Sequence, residues 1–350
     1  MAFLQQLDVR TGLSLPQPYL LFLGDTTEAS FAKTAFGLRD WAPHLCVAEF
    51  ALPEATVTTG LPRLSPAQAY ARGARALVIG VANVGGQVAP SWLQALVEAM
   101  AAGLDIVSGM HTPLSTIPAL QEAALRYGRR FYDVRVPPKD IPIATGHKRS
   151  GKRLLTVGTD CALGKKYTAL SLARAFAARG VNADFRATGQ TGIMIAGAGI
   201  PMDAVVSDFE AGAAEILSPE APPSHWDIIE GQGSIFHPSF AAVSLGLLHG
   251  SQPDVIVVCH QPGRTNMAGL AHYAVPSIAE TVDLTLRLGR RTNPAIRCGG
   301  ISLNTAHLDE AGRERVLAET TQAIGLPAAD SMRPGRAFDS LVDSCLGVPA

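Results

Sequence analysis

The sequence predicts an α/β protein built from two doubly wound, mostly parallel-sheet domains. Three observations carry this reading. Short β-rich apolar runs alternate with alanine-rich helical stretches along the chain, the pattern of strands joined by crossover helices. The 350 residues are enough for two cores. One stretch, PPKDIPIATGHKRSGKR (137–153), carries three prolines, two glycines and five basic residues, and breaks both periodicities. A domain boundary is placed there, giving domains 1–148 and 149–350.

In the first domain PYLLFLGD (18–25) is a buried strand, followed by a helix from about Thr27 to Leu38. ARALVIGVAN (74–83) is a second strand that ends in a glycine-rich turn, NVGG (83–86), too short for a dinucleotide fingerprint. SWLQALVEAMAAG (91–103) is a helix with a glycine after its end. GLDIVSGMH (103–111) and IPALQEAALRYG (117–128) add a strand and a helix, and RRFYDVRVPP (129–138) closes the unit. After Gly151 the pattern restarts with strand RLLTVGT (153–159) and helix KKYTALSLARAFAARG (165–180). Strands NADFRAT (182–188), WDIIEG (226–231), PDVIVVCH (253–260) and AIRCGGISLN (295–304) follow, then helix AGRERVLAETTQAIG (311–325).

Bulk numbers narrow the function classes. Hydrophobic residues make up 47% and charged residues 17%, so a folded, enzyme-like chain is expected rather than disorder. A net charge of −1 gives no footprint for nucleic acid or anionic membrane. The first residues lack the basic start and apolar run of a signal peptide, and no apolar run reaches bilayer length. Five scattered cysteines with no CxxC argue against a disulfide framework or a zinc site. The expectation is a cytoplasmic homo-oligomer acting on small molecules.

The chemistry concentrates in VGTDCALGKKYTAL (157–170). Strand, glycine-bearing turn and helix start together make an anion site: backbone N–H groups converge, the helix dipole assists, and a lysine adds charge. Gly158, Gly164 and Lys165 stand in that context. Residues Thr159, Asp160, Cys161, Ala162, Leu163, Gly164, Lys165 and Lys166 are the candidate phosphate-binding set. Five residues separate the two glycines instead of four, and Thr159 takes the usual first-glycine position. Lys166 stands where a magnesium-binding Ser or Thr is usual. A protonated lysine cannot ligate a metal, and Thr168 points elsewhere on the helix. The loop suits holding a pyrophosphate or phosphomonoester better than activating a γ-phosphate. Coenzyme A carries such groups, and no metal requirement is expected.

Other candidates lie at strand ends, where α/β ligands bind. Glu230 ends WDIIE beside the turn GQG, which allows close backbone approach. Arg186, Gln190 and Thr191 follow another strand and suit a substrate pocket. Asp208 is either a functional acid or the N-cap of FEAGAAE. His260 is either a base or a structural histidine, and Arg264 either a carboxylate clamp or a solvated loop residue. Asn304 is a candidate base or pantetheine contact. His111 sits at a strand end, and His237 reads as packed structure. Cys161, near a helix start that can lower a thiol pKa, has no partner base close in sequence.

GTDCALGKK resembles the loop of dethiobiotin synthetases, and WDIIEGQGS their acid-glycine segment. A closer resemblance is to a two-domain bacterial family of D-glutamate N-acetyltransferases. It rests on ANVGG (82–86), AGLDIVSGMH (102–111), the phosphate loop, RATGQTGI (186–193), DAVVSDF (203–209), HWDIIEGQGSIFHPSF (225–240), SLGLLHG (244–250) and ISLNTAHL (301–308), which span most of the chain. The resemblance implies a Rossmann-like N-terminal domain, a P-loop NTPase-like C-terminal domain, and acetyl transfer from acetyl-CoA to the amino group of D-glutamate. The expected roles are these: the loop holds CoA phosphates, and Glu230 serves as base with Asp208 and His260 behind it. Backbone N–H groups of 231–233 meet the oxyanion, and Arg264 or Arg186 binds substrate carboxylates. The rivals are an ATP- and magnesium-dependent kinase or ligase and a nucleotide- or CoA-binding module without catalysis.

Overall fold

A computed structural model describes residues 14–81 and 86–348. The NVGG turn, except Gly86, and the N-terminal stretch read for a leader lie outside the described residues, apart from its last two positions. The chain forms two compact units. The first holds the described residues up to Asp140 together with Gln190–Ala204; the second holds Ile141–Gly189 and the chain from Val205 onward.

The first unit has strands β1 (Tyr19–Phe22), β2 (Cys46–Phe50), β3 (Ala76–Ile79), β4 (Asp105–Ser108) and β5 (Phe131–Asp133). Helices α1 (Lys33–Trp41), α2 (Pro66–Ala71), α3 (Leu93–Ala101) and α4 (Pro118–Tyr127) join them. The sheet order is β2-β1-β3-β4-β5, all parallel, a Rossmann-like arrangement. β1 and β3 are wholly buried, as central parallel strands covered on both faces must be. The helix expected from Thr27 begins only at Lys33, after a 3-10 turn at Ala29–Phe31. β2 was not foreseen; its mixed burial suits its place at the sheet edge.

The second unit has β6 (Lys152–Gly158), α5 (Lys165–Ala178) and β7 (Ala183–Arg186). The chain then returns to the first unit for α6 (Gln190–Ala196). Ile193, Met194 and Ile195 of α6 are buried, Thr191 Oγ1 lies 3.3 Å from Thr34 Oγ1, and the Tyr19 hydroxyl donates to the Met194 carbonyl at 3.2 Å. Next come α7 (Glu210–Leu217), β8 (Trp226–Ile229), α8 (Ala241–Ser251), β9 (Val255–His260) and a hairpin of β10 (Asn266–Met267) and β11 (Leu270–Ala274). The end of the unit is α9 (Ile278–Gly289), β12 (Arg297–Leu303), α10 (Glu310–Ile324), β13 (Ala328–Ala329) and α11 (Arg336–Leu346). All six sheet strands are parallel, in the order β13-β12-β9-β6-β8-β7.

β6 therefore lies inside the sheet with β8 and β9 on its two sides, and the order reverses there. Open α/β sheets bind ligands at such a point, outside the carboxyl ends of the strands. Leu172, Ala169 and Phe176 of α5 pack with Leu154, Val257 and Trp226 in one buried cluster. Phe176 meets Trp226 edge-on at 5.3 Å and 89°, a geometry worth about 0.5–1.5 kcal/mol beyond area burial. This packing fixes the start of α5 against the end of β6. No helix among the described residues is long and apolar enough to cross a membrane.

A buried acid at the end of β5 gives a pH-dependent test of the first unit. Asp133 is 7% exposed, and both its oxygens accept from the Leu114 N–H. Burial pushes its carboxyl up to about 6, against the opposing Leu114 bond. With the folded pKa above the unfolded one, the native chain holds more protons between the two values. The charge therefore opposes folding above about pH 6, and this is relieved as pH falls toward about 4. Asp133→Asn is expected to raise the unfolding free energy by about 1–3 kcal/mol at about pH 7.5 and by much less at about pH 4. Urea unfolding at both pH values measures this, and an equal gain at both would contradict it.

Candidate active site

The loop after β6 is shaped by backbone that few side chains tolerate. Gly164 takes φ 106° just before α5, and Ala162 takes φ 55°, the left-handed region that costs a non-glycine residue. The helix that follows is 14 residues long and starts with no side-chain cap. Its first-turn N–H groups thus face outward at the positive end of the helix dipole. Lys165 is buried, and its Nζ donates to the Asp160 carbonyl at 2.8 Å. Lys166 is half-buried, with Nζ over the Tyr167 ring at 4.5 Å from the centroid. Burial lowers the pKa of both lysines, and nearby acids oppose the shift; for Lys166 that acid is Glu230. Thr168 is committed away from the loop: its hydroxyl lies 2.8 Å from Ser302 Oγ and 3.0 Å from Ser331 Oγ.

Asp160 is fully buried and organises this loop. Its Oδ1 accepts from the Cys161 N–H at 2.6 Å. Its Oδ2 accepts from Arg264 Nη1 and from the Ala268 N–H, each at 2.8 Å. Arg264 also donates to the Cys161 carbonyl at 2.8 Å and to Gln261 Oε1 at 2.6 Å. In this structure the carboxylate that Arg264 holds is this chain's own Asp160. Thr159 joins the same framework through its hydroxyl, 2.9 Å from His260 Nδ1 at the end of β9. Burial, with Arg264 adding to it, lowers the His260 pKa, so its ring is neutral near pH 7. Asn304, after β12, donates its backbone N–H to the His260 carbonyl at 2.8 Å, and its Oδ1 accepts from Ala306 N–H.

Glu230 follows β8 and is buried. Its Oε2 accepts from Thr188 N–H at 3.0 Å and Gly189 N–H at 3.1 Å. Desolvation raises its pKa, and Lys166, those two backbone donors and Lys165 oppose the rise. Gly231 must be glycine, because a β-carbon there would lie 1.6 Å from the Thr156 carbonyl oxygen. Its N–H donates to Thr156 Oγ1 at 2.9 Å. Of the 231–233 N–H groups expected to meet the oxyanion, that of Gly231 is already bonded within the chain. A small recess lies beside it, with room for little more than a water molecule, lined by Val157, Gly158, Gln232, Ser234 and Ile235 among others.

Several candidates lie elsewhere. Arg186 Nε donates to the buried Asp227 at 2.6 Å and Nη2 to Asp184 at 3.2 Å, so this guanidinium serves an internal ion network rather than a free substrate carboxylate. Gln190 and Thr191 belong to the first unit, where Gln190 Nε2 donates to Asp203 at 3.1 Å and Asp203 pairs with Arg135 at 2.9 Å. Asp208 is exposed on the 3-10 turn Ser207–Phe209 and does not cap α7, whose N-cap is Phe209 without a side-chain bond. The Cys161 thiol is pushed up by burial, not lowered by the helix start. Sequence reading missed the Asp160–Arg264 pair, because its members are 104 residues apart. It also passed over Gln232, whose only signal was the GQG turn.

Among the described residues, two side-chain groups bring metal-type donors within 4.8 Å of one another: Asp160, Cys161 and His237; and Asp184, His225 and Asp227. In the first, His237 Nδ1 accepts from Ser239 N–H at 3.1 Å, so the ring proton sits on Nε2, near the Ala268 carbonyl at 3.4 Å. A neutral imidazole so arranged has no lone pair left for a metal. In the second, Arg186 bonds Asp227 and Arg153 stands 4.0 Å from it, so positive charge is already supplied. Neither group offers a complete ligand set.

Arg264→Ala leaves the Asp160 charge buried and unpaired. Breaking a buried ion pair costs about 3–5 kcal/mol. Because Arg264 is partly exposed, a loss of roughly 2–3 kcal/mol in denaturant unfolding is expected; a change below about 0.5 kcal/mol, the scale of an exposed pair, would contradict the assigned role.

Comparison with known proteins follows this architecture. A model described as a domain of unknown function, DUF1611_C, P-loop domain, matches residues 142–342, and the DUF1611_N Rossmann-like domain matches residues 51–137. The chain is 48% identical over 326 residues to a D-glutamate N-acetyltransferase of Tritonibacter scottomollicae, covering 93% of this chain and 98% of the relative. It is 46% identical over 330 residues to one from Pseudoalteromonas sp, covering 94% and 99%. A crystal structure of a DUF1611 family protein from Anabaena variabilis superposes with a TM-score of 0.82 at 34% identity, covering 95% and 99%. With both domains matched in order and such relatives aligned along nearly the whole length, the chain belongs to the DUF1611 family of D-glutamate N-acetyltransferases.

Proposed function

We propose that this chain transfers the acetyl group of acetyl-CoA to the amino group of D-glutamate. The observation that carries the reading is one juxtaposition. A phosphate loop with an uncapped helix start and two lysines, but no hydroxyl at the magnesium position, lies beside a buried acid. The names of the full-length relatives point the same way.

In this reading the N–H groups from Thr159 to Lys165 and the ammonium groups of Lys165 and Lys166 hold the phosphates of the donor. The lysine Nζ that now donates to the Asp160 carbonyl turns to a phosphate oxygen. Desolvation disfavours the charge on both lysines, and an arriving anion restores it. Asn304 keeps its amide NH₂ for the donor's base or pantetheine arm, since its Oδ1 is bonded to Ala306. The donor supplies an activated acyl carbonyl. An amine attacks only when neutral, so a base is needed. Glu230 fits that task because one of its oxygens, Oε2, is anchored by two backbone donors and the other is left for the substrate. His260 orients Thr159 and serves the loop instead. An ATP- and magnesium-using reading is weaker, because an ammonium at position 166 opposes the cation that a hydroxyl would ligate.

The test is direct: protein, acetyl-CoA and either D- or L-glutamate, with free thiol followed in the presence and absence of a chelator. Thiol release that needs D-glutamate and ignores the chelator is expected. Magnesium-dependent ATP turnover in place of thiol release would contradict the reading.

The pH profile gives a second test. Glu230 must be ionised to take a proton, and burial raises its pKa. Activity should therefore climb with pH through a limb above the ordinary carboxylate range. Glu230→Gln should remove that limb and lower kcat by about 10²–10⁴-fold. An unchanged limb in the variant would assign it to another group.

A further inference from the structure

We infer that Gln232 is a catalytic residue of the same reaction, the side-chain donor that stabilises the oxyanion. The inference rests on the acetyl-transfer reading and adds a residue to it. Glu230 binds the backbone through Oε2 only. Its Oε1 turns to the bare Cα of Gly189. The β-carbon position at Gly189 would lie 3.2 Å from Glu230 Oε1 and 2.9 Å from Gln232 Nε2. The base oxygen and the amide nitrogen therefore both crowd the bare Cα of Gly189 and are near neighbours, and a side chain at position 189 would displace them. A reaction site needs base and oxyanion donor brought together in this way.

The amide is held in place. Gln232 Nε2 donates to Thr188 Oγ1 at 2.9 Å, and that hydroxyl donates to the Glu230 carbonyl at 2.7 Å. Its main chain is pinned too, because Ser244 Oγ donates to the Gln232 carbonyl at 2.8 Å. An amide nitrogen carries two hydrogens, and one of them has no acceptor among the described residues. Gln232 is itself only half-buried and lines a small recess at the end of β6. The nearby backbone alternative, Gly231 N–H, is bonded to Thr156. In the step, the amine nitrogen forms a bond to the thioester carbon and its proton passes to Glu230 Oε1. The carbonyl oxygen takes negative charge and receives the Gln232 N–H. The C=O then re-forms as the C–S bond breaks, and the leaving thiolate takes the proton back from Glu230 to end as a thiol, leaving the carboxylate free again.

The experiment uses the full chain with acetyl-CoA and D-glutamate. Gln232→Leu and the isosteric Gln232→Glu are compared with wild type, and acetyl-CoA affinity is measured by calorimetry to establish that each is folded. Losing one oxyanion donor costs about 10²–10³-fold in kcat, so that fall is expected in both. Affinity for acetyl-CoA, KM for D-glutamate and the acid limb of the Gln232→Leu pH profile should stay within about twofold of wild type, as for a group acting only in the transition state. Gly189→Ala should also lose kcat while still binding acetyl-CoA. Retention of more than a tenth of kcat in both Gln232 variants would overturn the assignment, as would a loss confined to KM. Absence of transfer by the wild-type protein would instead overturn the acetyl-transfer reading itself.

Discussion

The buried carboxylate of Asp160 is the constraint on which the phosphate loop depends. It accepts three hydrogen bonds, from Cys161 within the loop and from Arg264 and Ala268 beyond β9. A carboxylate this deeply placed is stable only when paired and fully bonded. The partner is supplied by a turn 104 residues away, so the loop and the hairpin segment fix one another. The left-handed backbone at Ala162 and Gly164 persists because this framework over-determines it. The tight approach of Gly231 to Thr156 then brings the end of β8, and with it Glu230, alongside the start of α5.

Charge in the site follows from burial. Burial disfavours ionisation of Lys165, Lys166 and Glu230 alike; Glu230 partly offsets this for each lysine, and the two lysines partly offset it for Glu230. Such a set responds to a ligand. Anionic phosphates on the lysine side favour ammonium, and weaken the support that the lysines give to the Glu230 carboxylate. A base with a raised pKa is the kind that accepts a proton near neutral pH. In the proposed reaction, binding the donor and readying the base are thus one electrostatic event.

Much of this was legible in the sequence, for identifiable reasons. The strand–turn–helix around Gly158, Gly164 and Lys165 is a local signal, and the strands from Lys152, Trp226, Val255 and Arg297 are apolar runs with clear ends. Position 166 could be weighed without any structure, because its chemistry depends only on residue type. Long-range pairing was not legible. Arg186 and Arg264 looked like free cations because Asp227 and Asp160 lie 41 and 104 residues away. The return of Gln190–Ala204 to the first unit has no compositional mark, since α6 is apolar like its neighbours and its burial against Tyr19 appears only in three dimensions. Asp208 fitted either a functional acid or a cap by residue type, and α7 starts after Phe209, so it is not the cap. Gln232 carried no signal beyond two flanking glycines.

The central claim is that this loop keeps the phosphate-gripping half of a P-loop and has given up the magnesium half. Calorimetric titration of the wild-type protein with acetyl-CoA, once with excess magnesium and once with a chelator, tests it most directly. The account predicts binding of equal affinity in both. Binding that appears only with magnesium, or none in either, would contradict it.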